Sequence, residues 1–135
     1  MVWKGIYLET EPCAQTPAGP IRAPVASTTD GVGRKNDGGK QRYDLLAPEA
    51  LSGLVGVLTY GTTKYGDRNW EQGLNFSRVF AACMRHLWAW WKGEDYDRET
   101  GLSHLDHAAT CIHFLSTYTK RDMRSFDDRP AAKFD

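Results

Sequence analysis

The sequence predicts an all-α fold, a small helical bundle with an extended or flexible N-terminal segment. Three observations predict it: apolar residues recur at helical spacing in three stretches after Asp44, capping and breaking residues bound those stretches, and the connections are short enough to keep the helices neighbours. The chain is accordingly expected to divide into an N-terminal segment over 1–40, a helical domain over 41–122 and a C-terminal tail over 123–135.

Residues 8–40 hold most of the prolines, interleaved with Gly, Thr, Ser and Ala. That stretch has too few large apolar side chains to offset its own ordering entropy and reads as extended or flexible. The opening "VWKGIYL" suits a short strand or an arm laid against a neighbouring subunit. Helix one is expected from about Pro48 to Lys64, with Pro48 at a first helical position, Glu49 near the positive dipole end and Gly66 past the end. At 100° per residue, Leu51, Leu54, Val55 and Leu58 share one face, opposite Glu49, Gly53, Gly56, Tyr60 and Lys64.

Helix two lies in "NFSRVFAACMRHLWAWWKG", capped by Asn75 or Ser77 and closed by Gly93 as its C′ residue. Phe76, Val79, Phe80, Cys83, Leu87, Trp90 and Trp91 form its apolar side. Trp88 falls off that stripe, so the helix meets more than one neighbour, and in so short a chain that neighbour is expected to be another subunit. Helix three lies in "SHLDHAATCIHFLSTYTKR", capped by Ser103, with Leu105, Ala108, Ile112 and Leu115 as its stripe and Lys120 and Arg121 at the negative end. The tail "SFDDRPAAKFD" returns to loop chemistry.

Bulk composition narrows the function. At 135 residues with 41% hydrophobic and 25% charged side chains, this is an ordinary soluble single domain. Lys and Arg total 17 and so do Asp and Glu, so neither a nucleic-acid nor a membrane partner is expected. Cys13, Cys83 and Cys111 are odd in number and far apart, which disfavours a disulfide framework and points to a reducing cytoplasm. No apolar run reaches the roughly 20 residues that span a bilayer.

Two clusters carry chemistry. In the first, His104 and His107 stand one helical turn apart at the stripe of helix three and its edge, while Asp106 and His113 point outward and Asp106 completes an S-x-x-D capping box. Glu94, Asp97 and Glu99 lie in the loop that folds back beside them, and His86 flanks the stripe of helix two. Clustered carboxylates repel by up to about 1 kcal/mol per close exposed pair unless a cation neutralises them. A solvated acidic loop is the plain alternative. As a metal site, oxygen ligation suits Mg²⁺ or Mn²⁺, and imidazole tilts the choice toward Mn²⁺.

In the second cluster, "GTTKYGDRNWEQG", Lys64 and Arg68 would contact phosphates and Tyr65 or Trp70 would stack on a base. A loop whose aromatics plug the bundle end is equally compatible. The stretch "GVGRKNDGGK" lacks the order of a Walker loop, although Lys35 and Lys40 suit a segment closing over a pocket.

The ordered series "KNDGGKQRYDLLAPEAL", "YGTTKYGDRNWEQG" and "RHLWAWWKGEDYDRETGLSHLDHAA" resembles the phage-associated dATP/dGTP diphosphohydrolase family, related to the MazG-like all-α nucleotide pyrophosphohydrolases, over residues 35 to about 118. The resemblance implies metal-dependent hydrolysis of a purine deoxynucleoside triphosphate to monophosphate and pyrophosphate, in the host cytoplasm, shaping a phage nucleotide pool. Matched positions are Lys64, Tyr65, Asn69, Trp70, Arg85 and His86 toward substrate, and Glu94, Asp97, Glu99, His104 and His107 toward metal and catalysis. The ExxE and ExxD pairs typical of MazG-like enzymes are absent, with Arg85, His86, His104 and His107 on those helices instead. A non-catalytic nucleotide-sequestering protein, and a structural protein whose Trp-rich helix only oligomerises, are the competing readings.

Overall fold

The structure is a computed structural model that describes residues 33–131, so "VWKGIYL", Cys13 and most of the Pro-rich stretch lie outside the described residues. The chain divides into two units, with the boundary between Leu45 and Leu46. Within the described part of the first, a turn is closed by the Lys40 N–H donating to the Asp37 carbonyl, with Gly39 at φ 76°. Lys35 and Lys40 both approach the Asp37 carboxylate at 3.6 Å. A single 3₁₀ turn, Tyr43–Leu45, follows.

The second unit carries three α-helices, α1 (Pro48–Tyr65), α2 (Phe76–Trp91) and α3 (His104–Lys120), with 3₁₀ turns at Asn69–Gln72 and Arg124–Phe126. No strand occurs among the described residues, only an isolated bridge between Tyr96 and Ser103. The all-α expectation holds. Most helix boundaries follow from local chemistry, and the start of α2 does not. Pro48 opens α1 and Gly66, at φ 87°, closes it. Asn75 stands at the N-cap of α2 without a side-chain bond; instead the Asp128 carboxylate accepts from the Ser77 N–H at 2.8 Å and from its hydroxyl. At the other end Gly93 (φ 99°) donates to the Trp90 carbonyl and Glu94 to that of Ala89, the paired bonds of a Schellman close.

α3 is the central helix, packed extensively on α2 and along a narrower seam on α1. The core is Phe76, Val79 and the fully buried Tyr118, surrounded by Trp70, Leu74, Cys111, Phe114, Leu115, Met123 and Phe126. The Tyr118 hydroxyl donates to the Trp70 carbonyl, joining α3 to the 3₁₀ turn before α2. Gly73, at φ 101°, lies so close to the Phe126 ring that a methyl group there would overlap it. The tail is therefore part of the packing, not simply a loop.

Which arc of each helix turns inward differs from the wheel reading. Leu51 and Val55 on α1 are 50% and 48% exposed, and Gly53, expected on the outer face, meets the Asp106 carboxylate of α3 at the seam. On α3, Leu105 and Ile112 are exposed, whereas His104, Ala108 and Tyr118 are buried and Thr110 donates weakly across to the Leu54 carbonyl. Phe80, Trp88 and Trp91 of α2 also face outward. The wheel assigns inwardness to the most apolar arc, but α3 has neighbours on two sides and must spend its small and polar positions on both. Asp106 and His113 are consequently turned inward, and no hydrogen bond among the described residues joins the Asp106 side chain to Ser103, so the capping box is not formed. The Ser103 hydroxyl oxygen accepts from the Leu105 N–H alone.

Candidate functional site

A cleft of about 940 Å³ opens in the second unit, with α3 as its floor and the C-terminal half of α1, the Asn69–Gln72 turn and the 97–100 loop around it. Its position follows from the fold: α1 and α2 lie on different sides of α3 and leave a trough between them.

At one end the chain gathers three donors. One ligand atom each from His86, Asp97 and His104 lies within 4.8 Å of the others. α2 presents His86, the first residue of α3 is His104, and Asp97 comes from the loop between them, held in place by the Asp97 N–H to Leu102 carbonyl bond at 2.8 Å and the His104 N–H to Asp95 carbonyl bond at 3.0 Å. The Nδ1 atoms of His86 and His104 are 2.9 Å apart, so one ring donates and the other accepts. His104 is 5% exposed, and its Nε2 is buried without a hydrogen-bond partner, the Glu94 carboxylate standing off at 3.8 Å. A buried imidazole nitrogen with nothing to bond is costly unless a ligand completes it.

His107 stacks on His86 with ring centroids 4.4 Å apart and bonds the Thr100 hydroxyl through Nε2 at 2.7 Å. Burial is the main cause that holds both His86 and His107 below the ordinary histidine value; the charge of the neighbouring rings adds to it, and Asp97 opposes it. Both rings are therefore neutral at pH 7. Asp97 behaves oppositely. Burial acts to raise it, but the N–H groups of Thr100 and Glu99, the Thr100 hydroxyl and His107 outweigh that and hold the carboxyl below its usual range. Those bonds all fall on Oδ1, and among the described residues Oδ2 is left for a ligand.

The remaining residues singled out in the sequence take distinct places. Glu94 is not among the lining residues; it is half-exposed, 3.6 Å from Arg98, because α2 ends at Trp91 and does not carry it onto the core-facing stripe. Glu99 accepts from Lys64 across the cleft mouth, which raises the Lys64 ammonium above its ordinary value. Arg68, in left-handed conformation at φ 55°, pairs with Glu71, which also accepts from Arg121 at 2.8 Å. Trp70 is committed to packing, stacked on Phe114 at 4.6 Å with the Arg121 guanidinium 6.0 Å from its ring. Tyr65, 64% exposed, is the aromatic left free beside the cleft, which Asn69 also lines. Arg85 is exposed and is not among the lining residues.

The sequence reading placed His86 with the substrate contacts, whereas the structure sets it among the metal-type donors. It missed Thr100, Arg121 and His113 as cleft residues altogether. Only the recurrence of His at both ends of the α2–α3 connection hinted at the first, since the partners are separated by 18 positions.

The family model described as dATP/dGTP diphosphohydrolase, N-terminal, matches residues 30–129. A dATP/dGTP diphosphohydrolase of Salmonella phage PMBT28 is 41% identical over 84 residues, covering 62% of this chain and 29% of that protein. The chain thus spans less than a third of the curated relative it matches. No solved structure matches.

Proposed function

Because the chain belongs to the dATP/dGTP diphosphohydrolase N-terminal family, we propose that it hydrolyses purine deoxynucleoside triphosphates to monophosphate and pyrophosphate in the nucleotide pool of a phage-infected cell. The observation that carries the reading is the convergence of one donor atom each from His86, Asp97 and His104 within 4.8 Å, beside the cleft that His86 and Asp97 line. Two imidazoles and one carboxylate fit a divalent ion, and fit Mn²⁺ better than the oxygen-preferring Mg²⁺. Such an ion, when bound, neutralises phosphate charge and acidifies water.

The chain's own residues supply the rest. Lys64 exchanges its Glu99 partner for a phosphate oxygen, and Arg68 adds a second cation on the same side of the cleft. His107, neutral through burial and oriented by Thr100, accepts the proton of the water that attacks the α-phosphorus. The new bond joins that water's oxygen to phosphorus, the bond to the bridging oxygen breaks, and pyrophosphate leaves. Among the described residues Leu51, Val55, Phe80, Trp88, Trp91 and Ile112 are large apolar side chains left exposed, and this supports a homo-oligomer.

The test is incubation of the pure chain with dATP or dGTP and Mn²⁺, following monophosphate and pyrophosphate. Formation of both, abolished by chelation, is the expected result. Binding of intact nucleotide without turnover across Mn²⁺, Mg²⁺ and Co²⁺ would instead favour sequestration.

A further inference from the structure

His113 lies on the cleft floor, six residues beyond His107 on α3 and hence about 9 Å along the helix axis. That displacement is of the order needed to pass from a reacting phosphorus over a deoxyribose to its base. The His113 ring is fixed by its neighbours, 5.2 Å from Trp70 at 59° and 6.2 Å from Phe114 at 53°. Its backbone carbonyl takes the Thr117 hydroxyl, but among the described residues its ring nitrogens bond nothing. A half-buried, oriented imidazole with a spare N–H in a ligand cleft is a recognition group waiting for an acceptor.

We infer that His113 reads the base, its ring N–H donating to purine N7. The inference rests on the nucleotide reading above and names what that reading leaves open. Adenine and guanine share the N7 acceptor while differing at position six, and pyrimidines have no N7. A single N–H donor directed there accepts both purines and rejects both pyrimidines. An amide would behave differently, because pairing at once with N7 and the adenine amino group selects one purine. Asn69, the one such side-chain amide among the described residues that line the cleft, is therefore the rival reader.

The experiment compares dATP and dGTP with their 7-deaza analogues, in which a carbon replaces N7, on the wild-type chain and on His113→Phe, which keeps an aromatic ring against Trp70. For wild type, kcat/KM falls about tenfold on removing N7, the worth of one hydrogen bond in a partly desolvated site. For His113→Phe the natural and 7-deaza substrates become equal. Persistence of the N7 dependence in His113→Phe, or its loss in Asn69→Ala alone, overturns the assignment. If His113→Phe does not fold, wild-type indifference to 7-deaza substitution overturns it equally. Calorimetric binding of the same nucleotides in chelator separates the two levels: N7-dependent binding without turnover keeps the base reader and removes the hydrolase, turnover without N7 dependence does the reverse, and absence of both removes both.

Discussion

His86 and His104 face each other through their Nδ1 atoms at 2.9 Å, while the Nε2 of His104 has no partner. These two facing nitrogens lie on the side of the rings where Asp97 joins them, whereas the Nε2 of His104 points away toward Glu94 at 3.8 Å. Removing either ring should disable the donor set. His86→Ala and His104→Ala are each expected to weaken Mn²⁺ binding by at least tenfold in calorimetry, whereas Glu94→Gln, at a residue that does not line the cleft, changes it by less than about threefold. Equal effects for all three would place the ion elsewhere.

The Lys64–Glu99 pair gives a prediction of opposite signs for its two members. Lys64→Met removes a phosphate contact and raises KM for a nucleotide triphosphate. Glu99→Gln releases the ammonium from its competing carboxylate and lowers KM by about threefold, the scale of an exposed ion pair, with kcat unchanged. Steady-state kinetics at fixed metal checks both, and a rise in KM for Glu99→Gln contradicts the exchange.

Burial sets a pH dependence of stability. The folded chain keeps His86 and His107 below the histidine value of 6.5, so in the window beneath 6.5 the unfolded state binds more protons. Stability is full above that value and declines as pH falls through it toward the folded values. Metal-free protein should melt at lower temperature at pH 5.5 than at pH 7.5, and His107→Gln should flatten the slope. A higher melting temperature at pH 5.5 would contradict the assignment of neutral rings.

Gly73→Ala meets two obstacles, a backbone at φ 101° and the Phe126 ring. Left-handed backbone in a residue with a Cβ costs about 1–2 kcal/mol, and the steric overlap adds to it. Urea denaturation should show a loss of about 2 kcal/mol or more. Adding Phe126→Ala should not restore it, because the dihedral cost stays.

Tyr118→Phe leaves the shape of the core intact and removes the hydroxyl that bonds the Trp70 carbonyl. The expected cost is about 1–3 kcal/mol, chiefly the carbonyl left without its donor. Denaturation by urea measures it, and a neutral substitution would mean that the carbonyl finds another donor.

Helix extent was legible because it is written locally: Pro48 and Gly66, Ser103, and the Gly93 close need only their own neighbours to act. The facing arcs were not. Whether Leu51 or Gly53 turns inward depends on Asp106, and whether Ile112 or His113 does depends on Trp70, a residue on another element. The burial of His104 at the stripe was readable from the wheel. Its pairing with His86 was not, because a contact across two helices has no local signature. The resemblance supplied which residues to watch, and the three-dimensional arrangement separated the clustered His86, Asp97 and His104 from Trp70, which is committed to packing.

The first turn of α2 depends on a residue far downstream, since the Asp128 carboxylate serves Ser77 across 51 positions. At a ribosomal rate of about 5–20 residues per second, that partner is polymerised about 3–10 s after the turn it completes. Until that residue has been made the first turn of α2 lacks its carboxylate cap, so this helix end and the tail can complete their structure only together.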